Sequence, residues 1–175
     1  FRQSRKLRLL ISISTSGYAI PGSVISAGLL IGFDAVFGTS ITIYGIFGLI
    51  LCLSFRFMTP AYNYSSSSLA NISKSSENAL SLVPSNPLKA FSSFYYPQMK
   101  SALFLGFMIV FIESVKEQAA TLLLRPVGFD TLSTKIYNFT SEGEWEMAAS
   151  PSLLLIFLSL AFVYLINKNI DLNTN

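Results

Sequence analysis

Four long apolar stretches succeed one another along the chain, and a polar interval divides them two and two. Residues 9–33, 35–55 and 147–167 carry no charge, and residues 101–124 carry only Glu113, Lys116 and Glu117. Each run reaches the roughly 20 residues that a helix needs to cross a bilayer core. The pattern predicts an all-α integral membrane protein with four transmembrane helices, over residues 18–33, 40–57, 101–124 and 151–167. Pro21-Gly22 interrupts the first run, and a proline inside a span frees a carbonyl and bends the helix. The small residues around it (Gly17, Gly22, Ser23, Ser26, Ala27, Gly28) suit close helix contact. Arg56 is expected to close the second span and Arg125-Pro126 the third. Pro151 suits the first turn of the fourth.

The polar interval, residues 59–100, has its own pattern. Leu69, Ile72, Ala79, Leu80 and Val83 recur mostly at three- and four-residue steps, which predicts a helix with one apolar face. Pro84 and Pro87 mark a turn, a second short helix follows, and Pro97 is expected to stop it. A second polar loop, residues 125–150, holds Asp130, Glu142, Glu144 and Glu146. The three glutamates alternate and could hold a cation, but a solvated loop accounts for them more simply.

Composition agrees with the membrane reading. The chain is 51% hydrophobic with a mean hydropathy of +0.54, and 12% of its residues are charged, against about 25% in soluble domains. The basic residues set the orientation. Arg2, Arg5, Lys6, Arg8, Arg56, Lys74, Lys89, Lys100 and Lys168 fall on one side of a four-span topology, and only Arg125 and Lys135 on the other. Both termini and the 59–100 interval are therefore expected in the cytoplasm, and the 125–150 loop outside. The basic N-terminus reads as a topology signal rather than a nucleic-acid patch. The chain reads as a single transmembrane domain over 1–175. It starts at Phe1 without a methionine, so a fragment of a longer polypeptide is expected.

Catalytic chemistry finds no support. There is no histidine, hence no Ser–His or Cys–His arrangement, and no phosphate-binding GxxxxGK[ST] loop. The single cysteine, Cys52, excludes an internal disulfide and a cysteine-based zinc site, and reads as a buried apolar side chain. No catalytic residue, metal ligand or resident cofactor is expected. The third span is the exception to an otherwise apolar pattern. Glu113, Lys116 and Glu117 share a helix face, with Thr121 one turn further. A charge at bilayer depth costs about 2.5–3.5 kcal/mol on insertion scales. The cluster is either self-neutralising structure or part of a pathway.

The interval also carries a register. Asn78, Ala79 and Leu80, then Pro84, then Phe94, Tyr96 and Pro97 fall without a gap on the Glu-Ala-Ala, Gly, Ile and Leu-Pro positions of the cytoplasmic coupling loop of binding-protein-dependent ABC importer permeases. Ala79 and Pro97 match outright, and Glu77 lies beside Asn78. The run GYAIPGSV over 17–24 and the run VKEQAATLLLRPVGFDTLSTKIY over 115–137 resemble the iron(III)-type permeases of that superfamily. The resemblance covers most of the chain and implies the C-terminal part of a type I importer permease in a bacterial inner membrane. It implies a coupling loop of Glu77, Asn78, Ala79, Leu80, Pro84, Phe94, Tyr96 and Pro97 meeting an ABC ATPase subunit. ATP would bind on that subunit and not on this chain. It further implies a periplasmic substrate-binding protein, a second permease half or subunit, surrounding lipid, and ferric iron as substrate. Two other classes compete: a non-transporting membrane scaffold, and an ion-coupled transporter using Glu113, Lys116 and Glu117.

Overall fold

The computed structural model describes residues 5–38, 45–81 and 86–174, and among these the regular structure is helical throughout. Helix α1 (Arg5–Thr15) passes into a single 3₁₀ turn over Ser16–Ala19. Helix α2 (Gly22–Phe37) starts after Pro21, and the chain between the two bends by 113°. Residues 18–33 are therefore not one straight span. The cause is local: a residue before proline is pushed out of the helical region, and Ile20 takes ψ 131°. The carbonyl of Pro21 then accepts the first helical N–H groups, from Val24 and Ile25. At the far end Gly38 adopts φ 58°, and its N–H bonds back to Asp34, as a left-handed helix terminator does.

Helix α3 (Gly45–Ala70) does not close at Arg56. It has 26 residues, with Pro60 inside it. Leu69 belongs to this helix and Ile72 to the turn after it, so the apolar face expected across Leu69 and Leu80 is split between two elements. Helix α4 (Lys74–Ser81) follows. Residues 82–85, and with them Pro84 and Val83, lie outside the described residues.

Helix α5 (Pro87–Lys116) is a 30-residue rod. The second helix of the polar interval is thus neither short nor stopped by Pro97. Asn86 caps it by accepting the Leu88 N–H at 3.0 Å, with Pro87 in the first turn. Over Phe91–Tyr95 the rod widens into one π turn, in which the Tyr96 N–H reaches Phe91 O, five residues back. Pro97 has no N–H to offer the carbonyl one α turn behind it and would crowd that carbonyl. The wide turn accommodates the mismatch, and the Gln98 side chain donates to Phe94 O at 3.1 Å.

The rod ends at Lys116, where Glu117 turns extended at ψ 117°. The run 101–124 is therefore a span that stops early, followed by the short helix α6 (Ala119–Leu124). Helix α7 (Leu132–Ser141) opens on a capping box between Thr131 and Thr134. Helix α8 (Trp145–Thr174) starts six residues before Pro151, placing that proline in its interior rather than its first turn. Ser152 donates to Ala148 O at 2.7 Å beside it.

Three helices, Gly45–Ala70, Pro87–Lys116 and Trp145–Asn169, are long and apolar enough to cross a membrane, and the bent α1–α2 pair makes four if it counts as one. The most extensive contact is between α3 and α5. They run antiparallel, with Gly106 seated against Tyr64, where a Cβ on the glycine would stand 3.3 Å from the tyrosine's own Cβ. The core lies where α2, α3 and α6 meet: Leu49, Cys52, Ala120 and Leu124 are buried, with Ile25, Leu29, Leu30 and Leu53 around them. Gly45 permits this approach, because a Cβ there would stand 2.6 Å from Leu124 O. Helix α8 leans on α5 and α7, through Phe111 and Phe162 (ring centroids 4.6 Å apart) and a 2.6 Å bond from Ser101 Oγ to Asn169 Oδ1. Large apolar side chains such as Ile31, Val36, Phe157 and Tyr164 face outward, as they do where lipid is the solvent.

Candidate functional site

Two regions carry the sequence-predicted residues, and α5 joins them end to end. The first is the polar stretch. Glu77, Asn78, Ala79 and Leu80 all lie in α4, with Asn78 exposed. Phe94, Tyr96 and Pro97 lie in the π turn of α5 and directly after it, and Phe94 packs edge-on against Tyr95 at 5.0 Å. Tyr96 and Pro97 are exposed. Beside them Leu88 is 78% exposed and Phe91 52%. Sequence reasoning did not single out these two, although Leu88, Phe91 and Tyr95 recur at helical steps between the prolines. The arrangement is a short helix followed by a rod end that presents apolar side chains.

The second region is the charge cluster, which the structure divides. Lys116 Nζ bonds Glu113 Oε1 at 2.7 Å, with both side chains partly exposed. Glu117 turns away, because the helix has ended. Its Oε2 accepts a 2.6 Å bond from Arg56 Nη1, and these side chains are only 18% (Arg56) and 10% (Glu117) exposed. The three residues therefore do not neutralise one another as a single face. Arg56, expected at a span end, is the partner. The signal was present: Arg56 is the only charge between Asp34 and Lys74, and a lone charge in so long a run asks for a buried counter-ion.

Glu117 is also a junction. Its Oε1 accepts the Ala120 N–H at 3.1 Å, capping α6. Its carbonyl accepts Thr121 Oγ1 and Ser133 Oγ, each at 3.0 Å. The backbone groups freed by the break in α5 are thus bonded by side chains, as non-helical backbone inside an apolar layer requires. Thr121 is buried and contributes to this backbone repair. Gly22, at the break between α1 and α2, lies against the ion pair, and a Cβ there would stand 2.8 Å from Glu117 Oε1. One turn before Arg56, Cys52 is fully buried, with its Sγ 3.5 Å from Ser26 Oγ and 4.0 Å from Gly22 O. Both helix breaks therefore converge on one ion pair. Arg125 pairs separately with Asp130 after α6, and Glu142, Glu144 and Glu146 are exposed.

The profile of the family described as binding-protein-dependent transport system inner membrane component matches residues 1–172. Among curated proteins, the chain is 28% identical over 152 residues to the Fe(3+)-transport system permease protein FbpB 2 of Haemophilus influenzae, covering 86% of this chain and 29% of that protein. It is 28% identical over 124 residues to the ferric transport system permease protein FbpB of Actinobacillus pleuropneumoniae, covering 69% of this chain and 18% of that one. A putative ferric transport system permease protein FbpB 1 of Haemophilus influenzae is 27% identical over 124 residues, covering 69% of this chain and 20% of its own length. The chain thus spans less than a third of the curated relatives it matches. No solved structure matches it.

Proposed function

This chain belongs to the family of inner membrane components of binding-protein-dependent transport systems, and from that premise we propose that it forms part of the permease of an ABC importer for ferric iron. The observation that carries the reading is the continuity of α5. Its first turns bear the exposed Leu88, Phe91 and Tyr96, and the same unbroken helix runs on through a membrane-length apolar segment to Lys116. A partner that grips the first turns moves the span with them. Helix-in-groove docking uses such an apolar face. The partner would be a cytoplasmic ABC ATPase, which binds and hydrolyses ATP, so no cofactor resides on this chain.

The register of Asn78, Ala79, Leu80, Pro84, Phe94, Tyr96 and Pro97 supports the same docking face. The charge asymmetry supports cytoplasmic termini, a cytoplasmic 59–100 interval and a periplasmic 125–150 segment. A periplasmic binding protein would deliver the substrate, and a second permease half would complete the pathway. The names of the relatives support ferric iron.

The test is co-purification with the ATPase subunit from membranes, comparing wild type with Ala79→Asp and Leu88→Asp. A charge without a partner buried in such a contact costs about 2–5 kcal/mol, so each variant is expected to weaken capture about 30-fold or more while still inserting. Equal capture at equal expression refutes the coupling role.

A further inference from the structure

We propose that the Arg56–Glu117 ion pair is a latch worked by α5: closed in this structure, it opens when the rod is pushed along its axis, and Arg56 then transfers to Glu113. This rests on the coupling role proposed for the other end of the same rod.

Four observations point to a second arrangement. The pair is monodentate, since Arg56 Nη1 meets Glu117 Oε2 while Oε1 is engaged by the Ala120 N–H. A fixed Arg–carboxylate contact is commonly bidentate. Arg56 Nε is buried without a hydrogen-bond partner, and an unsatisfied buried donor asks for an explanation. Pro60, four residues on, cannot supply the N–H that the Arg56 carbonyl would have in an uninterrupted helix, so α3 is weakened where the latch sits. Finally, an open cleft of about 360 Å³ lies along the α3–α5 contact next to the pair, lined by Leu53, Phe57, Val110 and Ser114 among others. The side chains of that contact are not packed shut beside the latch.

Glu113 is the available second acceptor. It lies on the rod four residues before Glu117, which follows the rod's last residue, so an advance of about 6 Å brings it to the level now held by Glu117. One-turn steps of this kind connect discrete packed states. Lys116, now bound to Glu113, is released beside the end of α5. The direction fits a push delivered at Leu88 and Phe91, at the opposite end of the rod.

Cys52, fully buried one turn from Arg56, is the native reporter. Its modification rate by a membrane-permeant maleimide, mapped to that residue by mass spectrometry, reads the open population. The experiment uses the whole permease in membranes without ATP, so it does not depend on ATPase docking. Glu117→Gln weakens the closed state and is expected to raise the rate about tenfold, the scale of losing a partly buried pair. Glu113→Gln weakens the open state and is expected to lower the rate below wild type. The opposite signs are the test, because a merely structural cluster loosens under either change and both rates rise. Equal directions, or no change in either, overturn the latch. Should Glu117→Gln fail to accumulate, the exchange of Arg56→Glu with Glu117→Arg keeps the closed pair but sets two carboxylates, at positions 56 and 113, against each other on opening. Its rate is expected to fall below wild type, and a rate at or above wild type overturns the proposal. Equal ATPase capture by wild type and Leu88→Asp, while the opposite signs persist, refutes the docking reading alone.

Discussion

Gly22→Ala and Gly28→Ala make the same chemical change six residues apart on α2, and the structure predicts opposite results. At position 28 an added methyl meets nothing within 4 Å. The substitution there gains helix propensity, about 0.8–1.0 kcal/mol at most. At position 22 the methyl would stand on Arg56 Nη1, 2.8 Å from Glu117 Oε1 and 3.3 Å from Arg56 Cζ. The guanidinium is the far end of a flexible side chain and would give way before the backbone does. Its displacement weakens the 2.6 Å bond to Glu117. A hydrogen bond to a charged group contributes about 1.5–3 kcal/mol, and overpacking costs a similar 1–3 kcal/mol. Gly22 opens α2, so propensity offsets little of this. The two variants should differ by about 2–4 kcal/mol. Thermal unfolding in detergent micelles is the assay, with wild type between the two. Equal melting temperatures for Gly22→Ala and Gly28→Ala would refute the placement of the ion pair against the first turn of α2.

Cysteines at Ser92 and Glu144, both exposed, are expected to react with impermeant reagents from opposite faces of the membrane, Glu144 from outside; modification of both from one face removes the proposed orientation. Pro97→Ala restores an N–H to α5 and removes the reason for the π turn. It should raise the melting temperature of the purified permease yet reduce ATPase capture severalfold, because a return to uniform α geometry rotates the exposed face of Leu88 and Phe91 by about 100°. Retained capture together with raised stability would show that the phase of that face is immaterial.

The helical, membrane-embedded character was legible because it depends on composition and run length, which lipid imposes uniformly. Where the runs begin and end was less so. Residues 59–70 are polar, yet α3 continues through them, since hydroxyl groups such as that of Ser65 bond a carbonyl one turn back and do not break a helix. Pro21 and Pro97 look alike in a sequence. One produces a sharp bend because the residue before it, Ile20, turns extended and ends the 3₁₀ turn, and the other is absorbed by a wider turn. The charge cluster failed for another reason. Helical spacing groups Glu113, Lys116 and Glu117, but the helix ends at Lys116, and the true partner of Glu117 lies 61 positions away. Helical periodicity carries no information about partners at that separation. The exposed Leu88 and Phe91 became evident only once α5 was seen to start at Pro87.

Helix α8 has a different standing from the rest. None of its most apolar 18-residue window is buried inside the chain, against 28% for α3. Its outward side chains, such as Leu153 and Phe157, meet no complementary core within this chain. Lipid tails accept leucine, isoleucine, valine and phenylalanine nearly alike and re-form around each, so an exchange at Leu153 or Phe157 leaves no void. The same exchange at Leu49 does. Drift in sequence should therefore accumulate along α8 faster than along α3, with only hydrophobicity held constant.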